Sequence, residues 1–129
     1  MTKCVLVVDD VKSVSEKIKR RLEAEGFEVE TANDIASAKK KVLEKSFDRI
    51  VTDLDFGNKP WLKHHMIDGY RFAVWCKKQG VKSEIILHST AFEPHNRIFR
   101  FLNAPLRWSA KRKGITVQPR SALHESLRK

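Results

Sequence analysis

Apolar residues in this chain come in short bursts that switch between two spacings. Val5, Leu6, Val7 and Val8 form a continuous, largely β-branched run stopped by the acid pair Asp9-Asp10. Val11, Val14, Ile18 and Leu22 then recur at intervals of three and four, the period of one helix face, and Gly26 closes that helix. Phe27–Thr31 alternates as a half-exposed strand, and Asn33 or Asp34 caps a second helix whose apolar members include Ile35, Ala38, Val42 and Leu43. FDRIVTD, residues 47–53, reads as a third strand. Asp68-Gly69 opens a helix carrying Tyr70, Phe72, Ala73, Val74, Trp75 and Cys76 that ends near Gly80, and Ile85–Leu87 predicts a fourth strand. From Pro94 to Lys113 the spacing of Ile98, Phe101, Leu102 and Leu106 predicts helix, kinked or divided at Pro105, which has no backbone donor. After Gly114, Ile115–Val117 form a fifth strand, and Ser121 caps a short last helix holding Leu123 and Leu127.

Strand and helix in strict alternation predict an α/β fold: a doubly wound, five-stranded parallel sheet with right-handed crossovers and helices on both faces. The 129 residues suit a single domain, 1–129, with no internal repeat. No apolar run approaches the ~20 residues that a membrane-spanning helix needs, and the amino-terminus MTKCVLVVDD meets an acid pair where a signal peptide would have a cleavage site. The expectation is a cytoplasmic protein with no membrane insertion. Cys4 and Cys76 lack paired spacing and sit among apolar neighbours, which fits reduced core thiols.

Charge changes the picture in one respect. Twenty-six Lys and Arg against sixteen Asp and Glu give a net charge of +10, which favours acidic or polyanionic partners and salt-sensitive association. The excess is clustered in KIKRR at 17–21, KKK at 39–41 and the set Arg97, Arg100, Arg107, Lys111, Arg112 and Lys113. At helical spacing such clusters make a solvated face at least as readily as a nucleic-acid surface.

The candidate chemistry lies at the strand ends, because ligands of open α/β sheets bind outside the carboxyl ends of the strands. The first strand ends in Asp9-Asp10, the third in Asp53 with Asp55 beyond it, and the fourth in Ser89-Thr90. Convergent carboxylates repel one another unless a cation neutralises them, and an all-oxygen set suits Mg²⁺. Taken singly, an aspartate in such a place is as well explained as a helix cap.

The ordered set VLVVDD, RIVTD, MIDGY, IILHSTA and VQP resembles a response-regulator receiver domain of the chemotaxis type over nearly the whole chain. The resemblance implies a flavodoxin-like fold with strand order 2-1-3-4-5. It also implies Asp53 as phospho-acceptor, with Mg²⁺ held by Asp9, Asp10, Asp53 and the backbone carbonyl of Asp55. Thr90 matches the switch hydroxyl, and Ala91 the small residue that leaves the phosphoryl group accessible. The implied function is a stand-alone receiver of a two-component phosphorelay, phosphorylated by a histidine kinase or phosphotransfer protein and signalling to a downstream protein. Such a domain is not an enzyme beyond self-phosphorylation from small donors and self-dephosphorylation.

The chain departs from that pattern in three places. Gln118 occupies the position of the family's lysine before the strand-five proline, with Lys113 and Arg120 as nearby cations able to stand in. Ile115 or Thr116 stands where an aromatic switch residue is expected. The loop GNKPWLKHH, residues 57–65, and the extension over 94–113 are both insertions, and Trp61, His64 and His65 fit a lid or a partner contact. Two other classes follow from the same residues. One is a phosphorylation-independent receiver-like interaction module with a basic, polyanion-binding surface. The other is a haloacid-dehalogenase-like phosphatase in which Asp53-Leu54-Asp55 is the first motif and Asp55 the general acid/base, although that family carries this motif on its first strand.

Overall fold

The computed structural model describes residues 3–54, 68–89 and 104–119. Five strands, β1 (Cys4–Val8), β2 (Glu28–Ala32), β3 (Arg49–Asp53), β4 (Glu84–Ser89) and β5 (Thr116–Pro119), pair in parallel in the order 2-1-3-4-5. Between them run α1 (Lys12–Ala24), α2 (Ile35–Glu44), α3 (Asp68–Lys78) and α4 (Ala104–Arg112). The 57–65 loop, Thr90, the 94–103 half of the extension and the expected last helix lie outside the described residues.

The continuous apolar run of β1 is explained by its place in the sheet, where both faces are covered and no position faces water. Leu6, Val8, Ile50, Ile85 and Leu87 point to one side and pack with Ala38 and Val42 of α2, Phe72, Ala73 and Cys76 of α3, and Ala110 of α4. Val5, Val7, Val51 and Ile86 point to the other and pack with Leu22 and Ile18 of α1. Edge strand β2 is half-exposed; its bounds fall one residue later than expected, while Val29 is turned into the core as its alternation predicts. Both cysteines are free and buried, and burial pushes the Cys76 thiol up to about 12, so it stays protonated at neutral pH.

Several expectations are corrected at the helix ends. Asp34, not Asn33, caps α2, its carboxylate accepting the amide of Ser37 at 2.7 Å. Val11 lies outside α1 and is exposed, and Leu43 is 67% exposed on the outer face of α2. Both match the helical period, but Val42 takes the core position beside Leu43, and a helix cannot turn two adjacent residues inward equally. Pro105 falls in the first turn of α4, where its missing donor removes no helical hydrogen bond.

Gly69 fixes how closely α3 meets the sheet. A Cβ at this position would fall 1.7 Å from the backbone oxygen of Asp53 and 2.9 Å from the Cα of Leu54, and the Gly69 amide donates to the Leu54 carbonyl at 3.2 Å. Only a residue without a side chain admits this approach.

Phe72→Ala should therefore cost about 3–5 kcal/mol in urea unfolding, whereas Leu43→Ala should stay within about 0.5 kcal/mol; equal losses would refute the orientation of α2 and α3. Gly69→Ala must push α3 off Asp53 and should lower stability by about 1–3 kcal/mol, and an unchanged unfolding midpoint would refute the close approach.

Candidate acidic site at the strand ends

Three carboxylates meet where β1 and β3 end. One oxygen each from Asp9, Asp10 and Asp53 lies within 4.8 Å of the others. The sheet register produces this: Val8 is opposite Thr52, so the residues that follow, Asp9 and Asp53, occupy the next rung of two adjacent strands. Asp9 is fully buried, Asp53 is 4% exposed and Asp10 is half-buried, so the cluster opens outward on the Asp10 side.

Backbone and side-chain contacts hold each acid in place. The Asp9 amide donates to the Ala32 carbonyl at 3.0 Å, and one oxygen of its carboxylate accepts the Val11 amide at 2.9 Å. That bond closes the turn before α1 and is not a helix cap, since the N-cap is Val11 and no side chain caps the helix, so capping does not account for Asp9. Asn33 donates to the Asp9 carbonyl at 2.8 Å and to the Ser15 hydroxyl at 3.0 Å, tying β2 and α1 to the turn that carries the acids. Beyond Asp53, the Leu54 amide donates to the His88 carbonyl at 2.9 Å, which locks the end of β3 to β4.

On the other side of Asp53 the sheet supplies nitrogen. Asp53 is the register partner of His88, and His88 of Gln118, which sets the three in one row across β3, β4 and β5. In-register neighbours of a parallel sheet share a face, so the acid, the imidazole and the amide project to the same side. His88 is fully buried and Gln118 half-buried. The sequence points to Gln118 directly and to Asn33 and Gly69 only as helix starts, while His88 carries no expectation there. The signal for His88 was present in IILHST, a titratable residue inside an otherwise apolar central strand.

Of the other expected residues, Asp55, Thr90 and Ala91 lie outside the described residues, as do Trp61, His64, His65, Arg97, Arg100 and Arg120. Lys113 cannot stand in for a strand-five lysine. It precedes β5 at the opposite edge of the sheet, where its ammonium donates to the Ser109 hydroxyl at 3.1 Å. Ile115, expected in β5, lies just before it and is buried in the core. Arg107 lies within α4, and Lys111 and Arg112 on its last turn are exposed.

Among the described residues, no helix is long and apolar enough to cross a membrane. An all-carboxylate donor set at this spacing has the hardness and charge that suit Mg²⁺.

Known proteins bear on this geometry. No curated protein matches the chain. The chemotaxis protein CheY4 of Vibrio cholerae superposes with a TM-score of 0.72 at 24% identity, covering 99% of this chain and 98% of its own. The response regulator TrrA of Thermotoga maritima, in a complex with Mg²⁺ and beryllofluoride, superposes at 0.59 with 24% identity, covering 87% of this chain and 99% of its own. A chain from the complex of histidine kinase ThkA with TrrA superposes at 0.69 with 21% identity, covering 98% and 97% respectively. At these identities the structures establish the flavodoxin-like fold. The family profile goes further, matching residues 5–106 and so spanning β1 through the first turn of α4. With an acid pair closing the first strand, this settles the choice against the haloacid-dehalogenase arrangement: the chain belongs to the response regulator receiver domain family of two-component systems.

Proposed function

We propose that this receiver accepts a phosphoryl group on Asp53 from the phosphohistidine of a histidine kinase or phosphotransfer protein and passes the signal on by protein contact. The carrying observation is the buried carboxylate of Asp53 within 4.8 Å of Asp9 and Asp10 at the carboxyl edge of a 2-1-3-4-5 sheet. The neighbouring TrrA structures, one with Mg²⁺ and beryllofluoride and one with a kinase, support the ligand and partner classes.

Asp9, Asp10, Asp53 and the backbone carbonyl of Asp55 would hold Mg²⁺, which when bound neutralises the acids and the oxygens of the transferring group. A carboxylate oxygen of Asp53 attacks phosphorus in line, the P–N bond to the donor imidazole breaks, and an acyl phosphate remains. Burial of Asp53 and Asp9 excludes bulk water from the back of the site. The product adds negative charge at one point, and Thr90, on the residue following β4, moves its hydroxyl toward it. That movement biases the neighbouring loops between two arrangements.

A second reading rests on α4. Trp108 is 63% exposed with the Arg112 guanidinium stacked 4.8 Å from its ring centre, beside exposed Lys111 and Lys113. An aromatic ring among cations suits a polyanion, and this module would act without phosphate.

Incubation with a small phosphodonor and Mg²⁺ should label the chain with an acyl phosphate that is lost in Asp53→Asn and kept in Asp55→Asn. Absence of labelling, together with nucleic-acid affinity that falls steeply with salt, would decide for the polyanion module. Gln118→Lys should tighten beryllofluoride binding about tenfold, since a charge-assisted hydrogen bond is roughly twice as strong as a neutral one; equal affinities would show that residue 118 does not face the phosphoryl group.

A further inference from the structure

We propose that His88 is a phosphoryl-contacting residue of this receiver, donating an imidazole N–H to the group on Asp53 from the β4 side. The inference rests on the phospho-acceptor reading and adds a residue to it.

The starting point is where charge is added and what surrounds it. Transfer to Asp53 places a dianionic group beside two further carboxylates, Asp9 and Asp10. These lie on the β1 side. On the β4 side the flanking groups of the rung are His88 and then Gln118. Neither is a permanent cation, so stabilisation on this flank falls to N–H donors.

Three observations select His88 over Gln118. It is the immediate register partner of Asp53, one strand spacing of about 4.8 Å away, whereas Gln118 is two strands away. It is fully buried, so it acts in a medium where each hydrogen bond counts for more than in water. It is also chemically out of place as packing: two residues earlier on the same face, β4 carries Ile86, which lies in the core with Val7 and Val51. Where the rung reaches the acids, an imidazole takes the place of an aliphatic side chain.

The donor and acceptor inventory of the row is self-consistent. A neutral imidazole has one N–H and one bare nitrogen, an acyl phosphate accepts only, and a glutamine amide both donates and accepts. An imidazole N–H at 88 and an amide N–H at 118 are thus both suited to a phosphoryl oxygen, and the nearer strand carries the imidazole.

The test is beryllofluoride titration with Mg²⁺ on the natural chain and on His88→Leu, His88→Met and His88→Gln, with urea unfolding of each as a check on folding. Removing the donor with leucine or methionine should weaken beryllofluoride binding about ten- to a hundredfold, and glutamine, which keeps an N–H, should recover most of it. In the natural chain, the His88 ring ¹⁵N–H signal should shift and become protected from solvent on beryllofluoride addition, a readout that a packing role would not move. Equal affinity of the natural chain and His88→Leu, or an unmoved ring signal with beryllofluoride bound, overturns the inference alone. If the natural chain binds no beryllofluoride, the phospho-acceptor reading falls and takes this inference with it.

Discussion

Three carboxylates held within 4.8 Å of one another are the constraint around which this domain is arranged. Two unit charges about 4 Å apart repel by roughly 4 kcal/mol at an effective dielectric near 20. Repulsion of that size is a large fraction of the about 5–15 kcal/mol by which a small domain is stable. Acids on mobile loops would move apart. Here Asp9 follows β1 and Asp53 ends β3, adjacent strands of the sheet; Asp9 is held by Ala32, Val11 and Asn33, and the end of β3 by the Leu54 amide on the His88 carbonyl. The sheet converts packing energy from its two apolar faces into a fixed concentration of negative charge, which is what makes the site receptive to a divalent cation.

The same constraint accounts for features that do little for stability alone. Gly69 lets α3 begin against the backbone of Asp53, so the helix that covers one face also fixes the end of β3. Asn33 ties β2 and α1 to the turn that carries Asp9 and Asp10. Tyr70 and Ser109 share a hydrogen bond between α3 and α4, so the helix that begins at the site is coupled to the one that precedes the row's last strand.

Much of this was legible in the sequence, for physical reasons that can be named. β1 and β3 are central and buried on both faces, so their apolar runs stood out, and the acids that end them located the site. The strand order came through the ordered motifs, since periodicity alone cannot say which strands are neighbours. Helix ends were less legible: Asn33 and Asp34 are equally good caps by composition, and only tertiary structure shows Asn33 engaged with Asp9 instead. Leu43 was misassigned because helical spacing tolerates either of two adjacent apolar residues until the partner face is known. His88 went unread for the opposite reason. Its meaning depends on being opposite Asp53 in one strand and Gln118 in another, a lateral relation spread over residues 53 to 118.

Lateral placement also sorts the positive charge. The net +10 invites the idea that some cation of the basic clusters replaces the strand-five lysine, and Lys113 is nearest in sequence. A parallel sheet forbids it. Every strand runs the same way, so residues just before β5 lie at the amino edge while Gln118 and the acids lie at the carboxyl edge. A strand of four residues separates the two edges by about 13 Å, more than the Debye length of about 8 Å in physiological salt. The exposed cations Lys111, Arg112 and Lys113 therefore act on whatever approaches that surface, not on the acidic cluster. The acidic cluster and the basic surface thus lie at opposite edges of the sheet, and the charge of Asp9, Asp10 and Asp53 is left to groups at the carboxyl edge.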